Sequence, residues 1–208
     1  MGETRMRGDS KAPAILGGSF DPIHIGHLHL ADAALHSGLF DVVYFVPAYR
    51  SPHKRNGAVA SDTARKEMVE AAVEHREHMH VLNWELERMG TSYTVDTVRG
   101  VRATLSEDMA PGLILGDDLL DGFERWKHMD ELVLTTVLTI GARDSDDPRE
   151  DPRIAKLEAL GGTVRVLSNA VLPVSSSDIR RRIEDGEAYR DLVPVEVYDI
   201  IERRTLYR

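Results

Sequence analysis

Short apolar runs alternate with segments of helical period along this chain, and that alternation sets its organisation. Residues 12–16, 42–46, 80–84, 112–115, 136–140 and 163–167 read as six strands. A helix begins near Gly26, places Leu28, Ala31 and Leu35 on one face and stops at Gly38. Ser61 caps a second helix, which turns Met68, Ala71, Ala72 and His75 inward. Thr94 caps a third that runs to about Leu105, and Ser175 opens a fourth that ends at Gly186. The last helix spans residues 193–203, with Val193, Val197, Ile200 and Ile201 on one face and Pro194 in its first turn. Residues 48–60 are polar, basic and interrupted by Pro52 and Gly57, which makes them a long loop. The acidic stretch 144–151 reads as a second, exposed loop. Strands separated by helices give a doubly wound α/β fold with a parallel sheet.

Composition narrows this picture. The 208 residues are 42% hydrophobic and 29% charged, which suits one domain, residues 12–208, behind a loose polar tail, residues 1–11. That tail has no apolar core of a signal peptide. The longest nearly apolar stretch, residues 132–140, is broken by Thr135, Thr136 and Thr139 and is far too short to cross a bilayer. There is no cysteine, hence no disulfide, thiolate metal site or cysteine nucleophile, and the expectation is a cytoplasmic protein. A net charge of −9 argues against nucleic-acid binding. Phosphates remain accessible ligands if cations and helix N-termini gather in one cleft.

One segment meets that condition. Gly17-Gly18-Ser19-Phe20-Asp21-Pro22-Ile23-His24-Ile25-Gly26-His27 follows a buried strand and opens a helix. Two glycines let the backbone approach a ligand at the carboxyl edge of the sheet, where α/β folds bind nucleotides. His24 and His27, three apart at a helix start, can face one side and stabilise a phosphoryl group beside free N–H donors. Taken alone, a glycine pair or a histidine pair is equally a tight turn with surface imidazoles. The whole segment resembles the GGTFDPxHxGH signature of the nucleotidyltransferases, with Ser19 in place of threonine. That resemblance implies a Rossmann-like doubly wound parallel sheet flanked by helices, with a small C-terminal helical portion. It also implies direct in-line transfer of a nucleotidyl group without a covalent enzyme intermediate. On the same basis His24 and His27 contact the ATP phosphates and the transition state, and Gly17, Gly18, Ser19 and Phe20 border the ATP.

A second segment, Val174-Ser175-Ser176-Ser177-Asp178-Ile179-Arg180, follows a strand and opens a helix with capping-box-like spacing. It resembles the family's SSTxIR signature, which makes Ser176 and Arg180 triphosphate ligands and leaves Arg181 and Arg182 solvated. Gly116-Asp117-Asp118 resembles the family's Gly-x-Asp, so Asp118 would bind a ribose hydroxyl.

Three further features bear on the acceptor. Residues 47–54, Pro-Ala-Tyr-Arg-Ser-Pro-His-Lys, resemble the loop of the bacterial nicotinate-nucleotide adenylyltransferases, with Ser51 replacing a proline, and supply Lys54 as a point charge on a flexible segment. Thr91-Ser92-Tyr93-Thr94 resembles the Ser-Tyr-Thr turn of those enzymes, whose backbone amides near Thr94 would hold a nicotinate carboxylate, with Tyr93 beside it. Trp126 stands where the family has an aromatic that stacks on the pyridine ring; core packing is the alternative for this residue. The resemblance runs from about Ala14 to Arg208. It departs at Ala142-Arg143-Asp144-Ser145, where the family often has an Arg-Pro-Gly-like turn, so Arg143 receives no role.

The implied activity is transfer of the adenylyl group of ATP to nicotinic acid mononucleotide, with Mg²⁺ arriving on the ATP because no carboxylate cage is visible. Two rivals stay open: the same fold with nicotinamide mononucleotide or another phosphate acceptor, and a catalytically silent nucleotide-binding protein. The sequence does not fix an oligomeric state.

Overall fold

A computed structural model of the protein describes residues 11–52, 57–105, 109–143 and 148–208. Its centre is a six-stranded sheet of β1 (Ala14–Gly18), β2 (Val43–Pro47), β3 (Met79–Val81), β4 (Gly112–Gly116), β5 (Val137–Gly141) and β6 (Thr163–Val166). The strand order is β3-β2-β1-β4-β5-β6, and every neighbouring pair is parallel. Alternate side chains leave the sheet on opposite faces, and the two faces form two cores. Leu16, Phe45 and Ile114 join one core with α1 (Ile25–His36), α2 (Asp62–Val73), α7 (Ser176–Glu184) and α8 (Val195–Arg204). Ile15, Val46, Leu113 and Leu115 join the other with α4 (Thr94–Arg102), α5 (Met129–Thr135) and α6 (Pro152–Ala159).

This is the doubly wound architecture that the alternation implied. The chain runs outward from β1 to β2 and β3, then crosses back to place β4 on the other side of β1. The carboxyl ends of β1 and β4 therefore diverge and open a crevice between their outgoing loops, the position at which such sheets bind ligands.

Several local expectations are corrected. The third strand is shorter than residues 80–84: pairing ends with the amide of Leu82 donating to the Phe45 carbonyl at 2.9 Å. Trp84 instead starts a short helix, α3 (Trp84–Arg88), whose indole lies against Gly100 of α4, where any Cβ would clash with the ring. Helix α2 ends at Val73, so His75 is exposed rather than inward. Helix α4 ends at Arg102, and Tyr93 rather than Thr94 stands at its N-cap. Two helices beyond those expected, α5 and α6, flank β5, and α6 carries ordinary start signals: Asp151 accepts from the Arg153 amide and Pro152 follows it. The acidic stretch is not wholly an exposed loop, since Pro148 is buried in a 3₁₀ turn that leads into α6.

The C-terminal helix is part of the main body. Helix α8 buries Val197, Ile200 and Ile201, and Arg203 and Arg204 reach Glu67 of α2 at 2.6 Å each. Beyond it Thr205 and Tyr207 adopt left-handed backbone, with φ of 51° and 65°, and turn the chain end back toward β1.

Candidate active site

The loop from β1 to α1 is held by its carbonyls. Arg65 of α2, fully buried, donates from Nη1 to the Ser19 carbonyl at 2.6 Å. Arg180 of α7 donates to the Asp21 carbonyl at 2.7 Å, and the Ser176 hydroxyl to the Pro22 carbonyl at 2.9 Å. With three carbonyls fixed from outside, the orientation of the loop's amides and side chains is largely determined. The peptide between Asp21 and Pro22 is cis. Gly17 presents bare backbone, and a Cβ there would project into open space. Phe20, at φ 47°, buries its ring edge-on to His27 at 5.0 Å and beside Phe45 at 5.8 Å. Its side chain thus belongs to the core and orients His27, and it borders the crevice through its backbone.

His24 and His27 share one side of the helix start, as their spacing implied, with ring centroids 3.8 Å apart. His24 is the N-cap of α1: its Nδ1 accepts from the Gly26 amide at 3.1 Å, while its own amide donates to Nδ1 of His27 at 3.3 Å. Both Nδ1 atoms are therefore acceptors, which puts the proton of a neutral ring on Nε2 in each case. Burial first, and the nearby positive charge of Arg143 second, push the His24 pKa down to about 3. His24 is thus a neutral Nε2–H donor near pH 7 and contributes a dipole rather than a full positive charge. No acidic residue occupies the first turn of α1, so its N-terminal field is free for an anion. Gly26 is required by packing, because a Cβ would stand 2.9 Å from Val174 and 3.1 Å from the His24 ring.

The two motifs meet. Ser175 caps α7 by accepting from the Asp178 amide at 3.1 Å, the forward half of a capping box. Arg180 lies across the loop, with Nη2 on Ser177 Oγ at 3.1 Å and Nη1 3.9 Å from the Asp21 carboxylate. Arg181 and Arg182 turn away and pair with Asp178 at 2.6 and 2.8 Å. Lys54 lies outside the described residues.

At the ends of β4 and β5 the structure adds a residue that the sequence reading left without a role. The Arg143 amide donates to Asp117 at 2.8 Å, its Nη1 stands 3.7 Å from the Asp118 carboxylate, and its Nη2 donates to the Val174 carbonyl at 3.3 Å. Arg143 so joins the Asp118 turn to the entry of α7 and adds positive charge beside His24. Its position just past β5, on the carboxyl edge next to the crossover, is a signal that strand order alone would have supplied.

On the far side of the crevice, Thr94 is the first residue of α4, and no side chain caps that helix at Tyr93. The Ser92 hydroxyl accepts from the Tyr49 amide at 2.9 Å, which ties this turn to the loop leaving β2. Lys127 holds its ammonium 4.2 Å from the Tyr93 ring centre. Its neighbour Trp126 is half-buried with its ring 5.1 Å from Phe123. The Lys127 contact thus brings residues 93 and 127, far apart in sequence, together, and Tyr93 and Trp126 both pack against the same core. Among the described residues no group of three or more His, Asp or Glu could hold a metal ion. No helix among them is long and apolar enough to cross a membrane.

The cytidylyltransferase-like family matches residues 15–182. A protein of Clostridium tetani described as "probable nicotinate-nucleotide adenylyltransferase" is 33% identical over 200 residues, covering 95% of this chain and 100% of the relative. One of the same description from Halalkalibacterium halodurans is 36% identical over 206 residues, covering 95% and 92%. Among solved structures, the Plasmodium falciparum nicotinic acid mononucleotide adenylyltransferase complexed with NaAD superimposes with a TM-score of 0.73. It shares 20% identity and covers 95% of this chain and 97% of its own, a likeness of fold.

Proposed function

The chain belongs to the nicotinate-nucleotide adenylyltransferase family, within the cytidylyltransferase-like group, and on that premise we propose how its residues divide the work of adenylyl transfer. The 5′-phosphate of nicotinic acid mononucleotide attacks the α-phosphorus of ATP. An O–P bond forms, the bond from the α-phosphorus to the bridging oxygen breaks, and pyrophosphate leaves as nicotinic acid adenine dinucleotide is made. The acceptor phosphate is already ionised near pH 7, so no side chain has to remove a proton.

Positioning and charge stabilisation remain for the protein to supply. His24 and His27 present Nε2–H donors to the α-phosphoryl oxygens, fixed in that tautomer by the backbone contacts of their Nδ1 atoms. Arg180 and Lys54 take the charge that grows on the leaving pyrophosphate, with Ser176 beside them. The backbone of Gly17, Gly18, Ser19 and Phe20 borders the ATP, and Asp118 receives a ribose hydroxyl. At the acceptor end, the first turn of α4 at Thr94, which no side chain caps, selects a carboxylate over a carboxamide. Trp126 stacks on the pyridine ring, next to Tyr93. Mg²⁺ enters as part of the substrate MgATP.

The observation that carries this reading is the histidine pair at the N-terminus of α1, 3.8 Å apart and neutral at His24, in the loop that leaves the carboxyl end of β1. The test is pyrophosphate release from ATP and Mg²⁺, with nicotinic acid mononucleotide and nicotinamide mononucleotide as alternative acceptors. A strong preference for the acid is expected. Release with the amide alone would overturn the role given to the α4 amides, and no release with either would overturn adenylyl transfer to a pyridine mononucleotide.

A further inference from the structure

Asp21, in the β1–α1 loop, is 2% exposed, and both of its carboxylate oxygens accept hydrogen bonds. Its Oδ2 accepts from the Val59 amide at 2.7 Å and its Oδ1 from the Ala60 amide at 3.0 Å, just ahead of α2. Oδ1 also accepts from the hydroxyl of Tyr207, the penultimate residue, at 2.8 Å. Arg180 completes the set, donating to the Asp21 carbonyl and standing near its carboxylate. A buried carboxylate is stable only with such partners, and losing one leaves charge uncompensated. The molecule also accepts left-handed backbone at Tyr207 itself to bring its ring into this place.

We propose that Tyr207 is a positioning residue of the transfer site. Its hydroxyl, donated to Asp21, ties the end of the chain to the carboxylate that sets Arg180 and the segment entering α2. Four parts far apart in sequence then move as one: the β1–α1 loop, residues 59–60, Arg180 on α7 and the turn after α8. Tyr207 does not touch substrate in this scheme. It acts by keeping the Asp21 carboxylate in the orientation that holds the Arg180 guanidinium across the loop, with N–H donors left over for phosphate. The hydroxyl stays protonated at ordinary pH, because burial and the adjacent Asp21 charge both push its pKa up. The proposal rests on the triphosphate role given to Arg180.

The experiment compares Tyr207→Phe with Tyr189→Phe in the full chain. Tyr189 is an internal control: its hydroxyl also donates to a carboxylate, Glu202 at 2.6 Å, in the same C-terminal region but away from the loop. One hydrogen bond to a charged group corresponds to about a tenfold change in an equilibrium. Tyr207→Phe should therefore weaken MgATP binding, measured by calorimetry, by about tenfold and lower kcat/KM for ATP similarly, while KM for the mononucleotide stays the same. Hydrogen exchange at the Val59 and Ala60 amides should quicken. Tyr189→Phe should lower the melting temperature comparably and leave ATP binding unchanged. Unaltered ATP binding in Tyr207→Phe, or equal weakening in both variants, would overturn the proposal. A wild-type protein that binds MgATP but releases no pyrophosphate would defeat the adenylyl-transfer reading alone, and the calorimetric comparison would still decide the role of Tyr207.

Discussion

At the residue scale, the histidine pair shows how position changes what a side chain can offer. An exposed imidazole titrates near pH 6.5, but His24 is buried beside Arg143 and keeps its neutral form down to about pH 3. The folded protein therefore binds fewer protons at this position than the unfolded chain throughout that interval. The resulting stability is complete above the unfolded value of 6.5 and is lost as pH falls toward the folded value of about 3. Replacing His24 with asparagine keeps an N-cap acceptor and removes the titration. The loss of stability from pH 6.5 to 3, followed by denaturant titration at each pH, should be shallower in that variant, by up to about 1.4 kcal/mol per pH unit. An unchanged slope would contradict the neutral form. Much of this residue chemistry was legible in the sequence, because the spacing of His24, Gly26 and His27 at a helix start already puts both rings on one side. The charge state of His24 was not, because it depends on burial and on Arg143, 119 positions further along by the numbering.

At the scale of elements, two helix N-termini converge on one loop. Helix α1 supplies the histidines, and α7 supplies Ser176 and Arg180, which clamp the carbonyls of Pro22 and Asp21. Gly26 lies against Val174, just ahead of α7, with no room for a Cβ. Gly26→Ala should force Val174 or the His24 ring to shift, at about 1–3 kcal/mol of stability. Displacement of a phosphate donor by even a fraction of an ångström should also cost kcat on the order of tenfold or more. Thermal melts and initial rates check the two effects together, and a variant with wild-type kcat would show that the spacing is not critical. The element pattern explains which helices the sequence disclosed. Helices α1, α2, α7 and α8 follow from amphipathic period and caps, whereas α5 is only seven residues and merges with the apolar run that feeds β5. Helix α3 was hidden differently, since it is only five residues long and its first, Trp84, reads as the end of the third strand.

At the scale of the whole molecule, the sheet's two cores have different duties. One carries α1, α2, α7 and α8 and so supports the helices that hold the β1–α1 loop, and the other supports the turn at Thr94 and Trp126 through α4 and α5. Helix α8 closes the first core with Ile201, which is fully buried and remote from the crevice. Ile201→Ala should cost about 2–5 kcal/mol of stability by denaturant unfolding while kcat of the folded enzyme is preserved. A comparable loss of kcat at temperatures where the variant is fully folded would mean that α8 contributes more than packing. What the sequence determined by itself is local: the strand–helix alternation, the glycine-rich turn into α1, the capped start of α7 and the residue types gathered in each motif. Those depend on period, capping and backbone freedom, which act over a few residues. What only the tertiary structure decided is the meeting of distant parts: the crossover that opens the crevice between β1 and β4, Arg143 beside His24, Lys127 over Tyr93, and Tyr207 on Asp21. Contacts of that kind depend on strand order and burial, and a single chain read in order carries no direct record of either.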